Sequence, residues 1–398
     1  MKRRVLHVIP GLGHGGAEHQ LLLNVERLDR SRFESHVCHL YPRTLLAPAI
    51  LEAGVPVHSA VVAGIFGFGR RIARLVHLMR SLNIDLVHTS NFDGELYGGI
   101  AGRLAGVPVV GTLTNTAYEN VRLLDNPHLN STKLFAVRQI RKQVNRRTHS
   151  RFVAISEFVK ESTLRELEIS PDLVKVIYRG LPRNGGPIGS PDPDLVADLG
   201  LEDSYPVILN VGRLVPQKGQ RYLIEAMPQV LERFPKARLL IVGTGFLEKD
   251  LKALSDRLGL GESVQFLGRR EDVPHLLGVA DMFVFPSLFE GLGVSLLEAC
   301  AAGRACVVSN VGPLPEVVVD GETGLLAPSG DPAALAERVI ALASDEALRE
   351  RLGEAARERV RERFLIDRSI EQLEDLYDDV LHTPGVQAVR SDAVGRRS

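Results

Sequence analysis

Short apolar runs alternate with longer stretches whose apolar positions recur every three to four residues, and this alternation runs twice along the chain. In the first pass Val5–Ile9, His36–Leu40, Leu86–His88, Val109–Leu113, Phe152–Ile155 and Val174–Tyr178 predict strands. Ala17–Leu28, Ile72–Leu82 and Leu134–Arg147 predict helices between them. A stretch dense in Pro and Gly, Pro182 to Pro193, then reads as a linker. After it Val207–Val211, Arg238–Val242, Val264–Leu267, Met282–Phe285 and Ala305–Ser309 predict strands, with Gly324–Ala327 a shorter one. Asp331 and Pro332 open a helix with an acidic cap and a proline in its first turn, and helices continue to about residue 381. Strand–helix alternation of this kind predicts α/β domains, each a parallel sheet covered on both faces. The expected organisation is a domain over 1–182, a linker over 183–204, a second domain over 205–362, a helix over 363–382 and a frayed tail over 383–398. Ligands of such domains lie beyond the C-terminal ends of the strands, here in a cleft between the two.

A length of 398 residues agrees with two cores rather than one. The balance of 44% hydrophobic and 24% charged residues is that of a soluble globular protein. Cys38, Cys300 and Cys306 form neither a disulfide framework nor a metal spacing, so a reducing cytoplasm is expected. No apolar run approaches the roughly 18 residues of a membrane span, and MKRRVLHVIPG reads as a first strand rather than a signal peptide. Net charge is −1, but residues 1–190 carry 25 Lys and Arg against 15 Asp and Glu, while the remainder carries 23 against 34. Much of the basic excess lies in Lys133, Arg138, Arg141, Lys142, Arg146, Arg147 and Arg151, with Phe135, Val137 and Ile140 among them. This region is either a solvated basic face or a surface that docks on an anionic leaflet, where each basic residue contributes about 1 kcal/mol.

The densest candidate chemistry is Asp281 to Arg304. A buried strand ends at Pro286, a loop carries Glu290, Gly291 and Gly293, and a helix from about Val294 to Ala302 is apolar on nearly every face except at Glu298. Glycines let a ligand approach backbone N–H groups, and a helix N-terminus offers such groups to anions. Two carboxylates there suit polyhydroxylated groups; alternatively Glu298 pairs with a buried Arg and Glu290 is solvated. Arg213, after Gly212, and Lys218, before Gly219, are placed to converge on a leaving diphosphate whose charge grows as its bond breaks. Gly243 turns the chain at the same sheet edge, and Arg269 follows the next strand, where it lines a base pocket. Near the N-terminus Gly11, Gly13 and Gly16 satisfy G-x-G-x-x-G, but the second strand ends His39-Leu40-Tyr41, without the acidic residue a dinucleotide site needs. A glycine loop, Gly15 and Gly16, remains to face a phosphate or a reacting sugar. His7, His14 and His88 lack metal-site spacing, and neither a Walker loop nor a Ser/His/Asp order occurs.

Together these motifs resemble the GT4 family of retaining glycosyltransferases with the GT-B fold: two Rossmann-like, doubly wound domains facing each other across a cleft. The resemblance covers nearly the whole chain. It rests on E-x7-E (Glu290 and Glu298), the GGAE loop (Gly15 to Glu18), G-R-x4-K-G (Gly212 to Gly219), and Pro315-Glu316 leading to Asp320-Gly321-Glu322-Thr323-Gly324. It implies that Arg213 and Lys218 neutralise a nucleoside diphosphate, Glu298 binds the ribose and Glu290 the donor sugar. Backbone from Gly291 through Leu292 and Gly293 to Val294 would meet the distal phosphate, and Gly15 and Gly16 would close over it. It further implies no cofactor and no metal, a donor expected to be UDP-linked, a glycan or lipid-linked acceptor held by the first domain, a last helix crossing back to that domain, and no nucleic-acid partner. Many relatives carry a histidine after the strand that corresponds to Val109–Leu113. This chain has Thr114 and Asn115 there, with His88 on the neighbouring strand as a substitute, and Arg179 stands where Asn is common. Two rival readings are a sugar-nucleotide epimerase and a non-catalytic nucleotide-sugar-binding partner of the same fold.

Overall fold

The computed structural model describes all residues except 1, 14, 64–66, 115–130, 184–191 and 384–398. His14, Asn115, most of the Pro- and Gly-rich stretch and all but the first residue of the expected tail therefore lie outside the described residues. The described chain forms two units: residues 2–114, 131–180 and 366–383 make the first, and 181–183 and 192–365 the second.

The first unit holds seven strands: β1 Arg3–Ile9, β2 Phe33–His39, β3 Val57–Ser59, β4 Leu86–Ser90, β5 Val109–Leu113, β6 Arg151–Ala154 and β7 Val174–Val176. They pair in the order β3-β2-β1-β4-β5-β6-β7, every pair parallel. Alternation along β1 sends Leu6 and Val8 to one face, packed with Leu75 and Met79 of the helix Gly67–Ser81 and Tyr97 and Ala101 of the helix Asn91–Ala105. Val5 faces the other way, with Ile370, Leu373 and Tyr377 of the last helix, Ile366–His382. The sequence reading missed β3. Its three residues lie on the sheet edge and carry one strongly apolar side chain, too little for a periodic signal.

The second unit holds β8 Val207–Val211, β9 Arg238–Val242, β10 Val264–Gly268, β11 Met282–Phe285, β12 Ala305–Ser309 and β13 Leu325–Ala327, in the parallel order β10-β9-β8-β11-β12-β13. Ile208, Ile241, Val284 and Val307 form its core with Leu223, Ile224 and Met227 of the helix Gln220–Arg233 and Leu335, Ala336 and Val339 of the helix Pro332–Ser344. Asp331 caps the latter, its carboxylate accepting from Ala334 N–H at 3.0 Å. Part of the stretch read as a linker is helical. Pro193–Asp198 form a short helix, started by Asp192, whose side chain accepts from Asp194 N–H at 3.0 Å.

Candidate functional site

In the second sheet the strand order reverses at β8, which lies between β9 and β11. Open α/β sheets hold ligands beyond the C-terminal ends of strands at such a point. Two loops meet there, one following β8 and one following β11. Gln217 ties them together: its carbonyl accepts from Leu288 N–H at 2.8 Å, and its Nε2 donates to the Phe289 carbonyl at 3.0 Å. Gln217 Oε1 accepts from the Arg213 guanidinium at 3.3 Å, so one buried amide positions both loops and a cation. Sequence reasoning passed over this residue, although it lies inside the G-R-x4-K-G string. Gly219 has φ +64°, and a Cβ there would fall 2.0 Å from the Pro286 carbonyl oxygen, so only glycine permits this contact.

Lys218 Nζ pairs with Glu290 Oε1, and Ser287 Oγ donates to the same oxygen at 3.0 Å. The ammonium also lies 5.0 Å from the centroid of the Phe285 ring. Glu290 is 6% exposed, which excludes the solvated alternative. Arg213 is exposed, whereas Lys218 already has a carboxylate partner and keeps further N–H donors for a ligand.

Behind Glu290, Gly291, Leu292 and Gly293 are buried and lead into the helix Val294–Ala301, with Gly293 at its N-cap in the left-handed region (φ +88°). Ser295 Oγ donates to the Val211 carbonyl at 3.0 Å, fixing the start of this helix to the end of β8. Glu298 is the open position of this helix. The helix is buried around it, but Glu298 itself is exposed and makes no ion pair with any described residue. Protein still displaces much of the water around its carboxyl, and this desolvation raises the pKa to about 7. Gly212 and Gly243 line the same sheet edge, Gly212 N–H donating to the Val242 carbonyl (2.9 Å) and Gly243 N–H to the Gly268 carbonyl (2.7 Å). Arg269 is exposed at the end of β10 and pairs with Glu271 at 3.2 Å.

The first unit gathers a separate set. Gly15 is the N-cap of the helix Gly16–Arg27, and its carbonyl accepts from His19 N–H at 3.0 Å. Thr114 Oγ1 donates to Asn91 Oδ1 at 3.0 Å. His88 is 5% exposed and held on both sides, Nδ1 against the Tyr377 hydroxyl at 2.5 Å and Nε2 against Thr112 Oγ1 at 2.6 Å. Burial lowers its pKa to about 4, so it is neutral, with both ring nitrogens engaged. The basic helix, Ser131–Thr148, also needs a correction. Arg141 is 6% exposed and forms a buried pair with Glu95, while Arg138 pairs with Glu166 (2.9 Å) and Lys142 with Glu168 (2.5 Å). Three of the seven basic residues that looked like surface excess are thus matched within the unit by acids 26 to 46 positions away. No helix among the described residues is long and apolar enough to cross a membrane.

Comparisons with known proteins bear on the same two units. The family model described as Glycosyl transferases group 1 matches residues 192–359, and the one described as Glycosyltransferase Family 4 matches residues 14–184. An Escherichia coli UDP-Gal:alpha-D-GlcNAc-diphosphoundecaprenol alpha-1,3-galactosyltransferase is 30% identical over 78% of this chain and 80% of its own length. A Corynebacterium glutamicum GDP-mannose-dependent monoacylated alpha-(1-6)-phosphatidylinositol monomannoside mannosyltransferase is 41% identical over 41% of this chain and 44% of its own length. Among solved structures, Anabaena HepE in complex with UDP superimposes with a TM-score of 0.81 at 24% identity, covering 95% of this chain and 100% of that one. With its strand order and these matches in agreement, the chain belongs to glycosyltransferase family 4 and has the GT-B fold.

Proposed function

We propose that this glycosyltransferase moves a sugar, with retention of configuration, from a UDP-linked donor to a glycan or lipid-linked acceptor, without a metal ion. The observation that carries the donor site is the Gln217-stapled junction of two loops at the strand reversal point, which holds Arg213, Lys218 and Glu290 together. Arg213 and the spare donors of Lys218 would counter the diphosphate, and the N-terminus of Val294–Ala301 would receive the distal phosphate. Glu290 keeps Oε2 for a donor-sugar hydroxyl while Oε1 holds Lys218 and Ser287. Glu298, exposed and without an ion-pair partner among the described residues, suits the ribose hydroxyls. In the transfer the bond from the anomeric carbon to the diphosphate breaks and the glycosidic bond forms on the same face. The acceptor proton passes to the departing phosphate oxygen.

Two named relatives support a lipid-linked acceptor, one acting on a diphosphoundecaprenol and one on a phosphatidylinositol mannoside. Their donors differ, UDP-Gal and GDP-mannose, so the choice of UDP is the part most in need of a test. Docking on an anionic leaflet would then rest on the exposed Arg146 and Arg147, because Arg138, Arg141 and Lys142 are paired internally. A thermal-shift panel of UDP, GDP and ADP and their sugars decides the base. A nucleotide at 100 times its Kd stabilises the folded state by about 2.7 kcal/mol. Stabilisation by UDP and UDP-sugars alone is expected; a shift with GDP or ADP only would reassign the donor.

A further inference from the structure

One position beyond the G-R-x4-K-G string, Gln220 is the first residue of the helix Gln220–Arg233 and is 1% exposed. Its Nε2 donates to the Arg213 carbonyl at 3.1 Å. That carbonyl also accepts from Val215 N–H at 2.9 Å, which closes a three-residue turn. Gly212 leaves room for this arrangement. A Cβ there would lie 3.5 Å from Gln220 Nε2 and 3.5 Å from Cγ and Cδ of Lys218, so the amide and the lysine stem both use the side of the chain that glycine keeps open. At the far end of the arginine, Gln217 Oε1 accepts from the guanidinium at 3.3 Å. Two buried amides therefore grip Arg213, one at its main chain and one at its fork.

Stability alone does not account for an amide at this position. Gln220 Oε1 is buried and has no hydrogen-bond partner among the described residues. A buried oxygen in that state destabilises a fold, and an apolar side chain of the same length would not carry that cost. Nor would such a replacement orphan the Arg213 carbonyl, which keeps the bond from Val215 N–H. What the amide supplies is direction. Stabilising a charge electrostatically needs donors already aimed at it, and the exposed guanidinium of Arg213 is aimed only as well as the main chain that carries it is fixed.

We infer that Gln220 is a positioning residue of the donor site that acts through Arg213, its amide fixing the main chain from which the guanidinium reaches the diphosphate. The inference rests on the proposed binding of a nucleoside diphosphate. The test is calorimetric titration of the full chain with UDP and, in parallel, GDP, together with thermal unfolding of the unliganded protein. Gln220→Met should leave Tm unchanged within about 2 °C or raise it, yet weaken the nucleotide about tenfold. In an Arg213→Ala background the same change should alter affinity by less than about twofold, because the group it acts through is gone. Gln220→Glu adds a pH signature. A buried carboxyl has a raised pKa; protonated, it donates as the amide does, and ionised it only accepts. The affinity of Gln220→Glu should therefore match that of the natural protein at low pH and fall below it as pH rises, and this response decides alone if Gln220→Met does not fold. Undiminished affinity in Gln220→Met, an equal loss in both backgrounds, or a loss that only follows a lowered Tm overturns the inference. If the natural protein binds a nucleotide and these effects are missing, only the Gln220 assignment fails; if it binds neither UDP nor GDP, the proposed donor site fails and the inference with it.

Discussion

Removing Lys218 should destabilise the second unit as well as slow the reaction, because its partner is buried. Glu290 has a side chain 7% exposed, and that of Lys218 is 15% exposed. Breaking a buried pair by deleting one member costs about 3–5 kcal/mol, since a charge is left without compensation. The partial exposure of Lys218 places Lys218→Met at the lower end, about 3 kcal/mol. For a unit of this size each kcal/mol lowers Tm by about 2–4 °C, which gives a fall of about 6–12 °C. Glu290→Gln should cost less, because the amide still accepts from Ser287 and the ammonium reaches solvent. Lys218→Met combined with Glu290→Gln should recover part of the loss of Lys218→Met alone, with a coupling of at least about 1 kcal/mol. Scanning calorimetry of the four proteins, without nucleotide, measures the cycle. A shift under 2 °C for Lys218→Met, or a double variant whose loss is the sum of the two singles, would refute the coupled pair.

Three further outcomes follow from the site. Nucleoside diphosphate should bind more tightly as pH rises through about 7, because Glu298 titrates there and its carboxylate is the stronger acceptor for ribose hydroxyls; calorimetry should find this component missing in Glu298→Gln. A chelator should leave most of the transfer activity if, as proposed, Arg213, Lys218 and a helix N-terminus counter the phosphates; loss restored by a divalent ion would contradict that. Co-sedimentation with anionic vesicles should fall at high salt and on replacing Arg146 and Arg147 with Ser, and binding indifferent to both would point to a soluble acceptor.

The strands were legible because each is a short, mostly apolar run bounded by polar or turn-forming residues. Val109–Leu113, Val207–Val211, Arg238–Val242, Met282–Phe285 and Ala305–Ser309 match the sequence reading residue for residue. The edge strand β3 was not, having one strongly apolar side chain in three residues. Residues at loop positions could be singled out by type, but their partners could not. Lys218 and Glu290 are 72 positions apart and meet only because β8 pairs with β11. The same limit hid the pair between Arg141 and Glu95, 46 positions apart, and made a buried arginine look like part of a surface patch. The exposure of Glu298 was hidden for a different reason. An apolar helix reads as buried all round, and its one open position is visible only once neighbouring elements are in place.

The central claim is that Arg213, held by Gln217 beside the Lys218 and Glu290 pair, counters a departing nucleoside diphosphate. Its most direct test is release of nucleoside diphosphate from UDP-sugars in the absence of acceptor, followed for the natural protein and for Arg213→Ala. Arg213 is exposed and hydrogen-bonded only lightly, so its removal should leave the fold intact, unlike that of Lys218. Slow release by the natural protein should fall by two to three orders of magnitude in the variant, about the effect of losing one preorganised electrostatic contact, with Arg213→Lys recovering only part of it. Equal release by the natural protein and a folded Arg213→Ala would contradict the account.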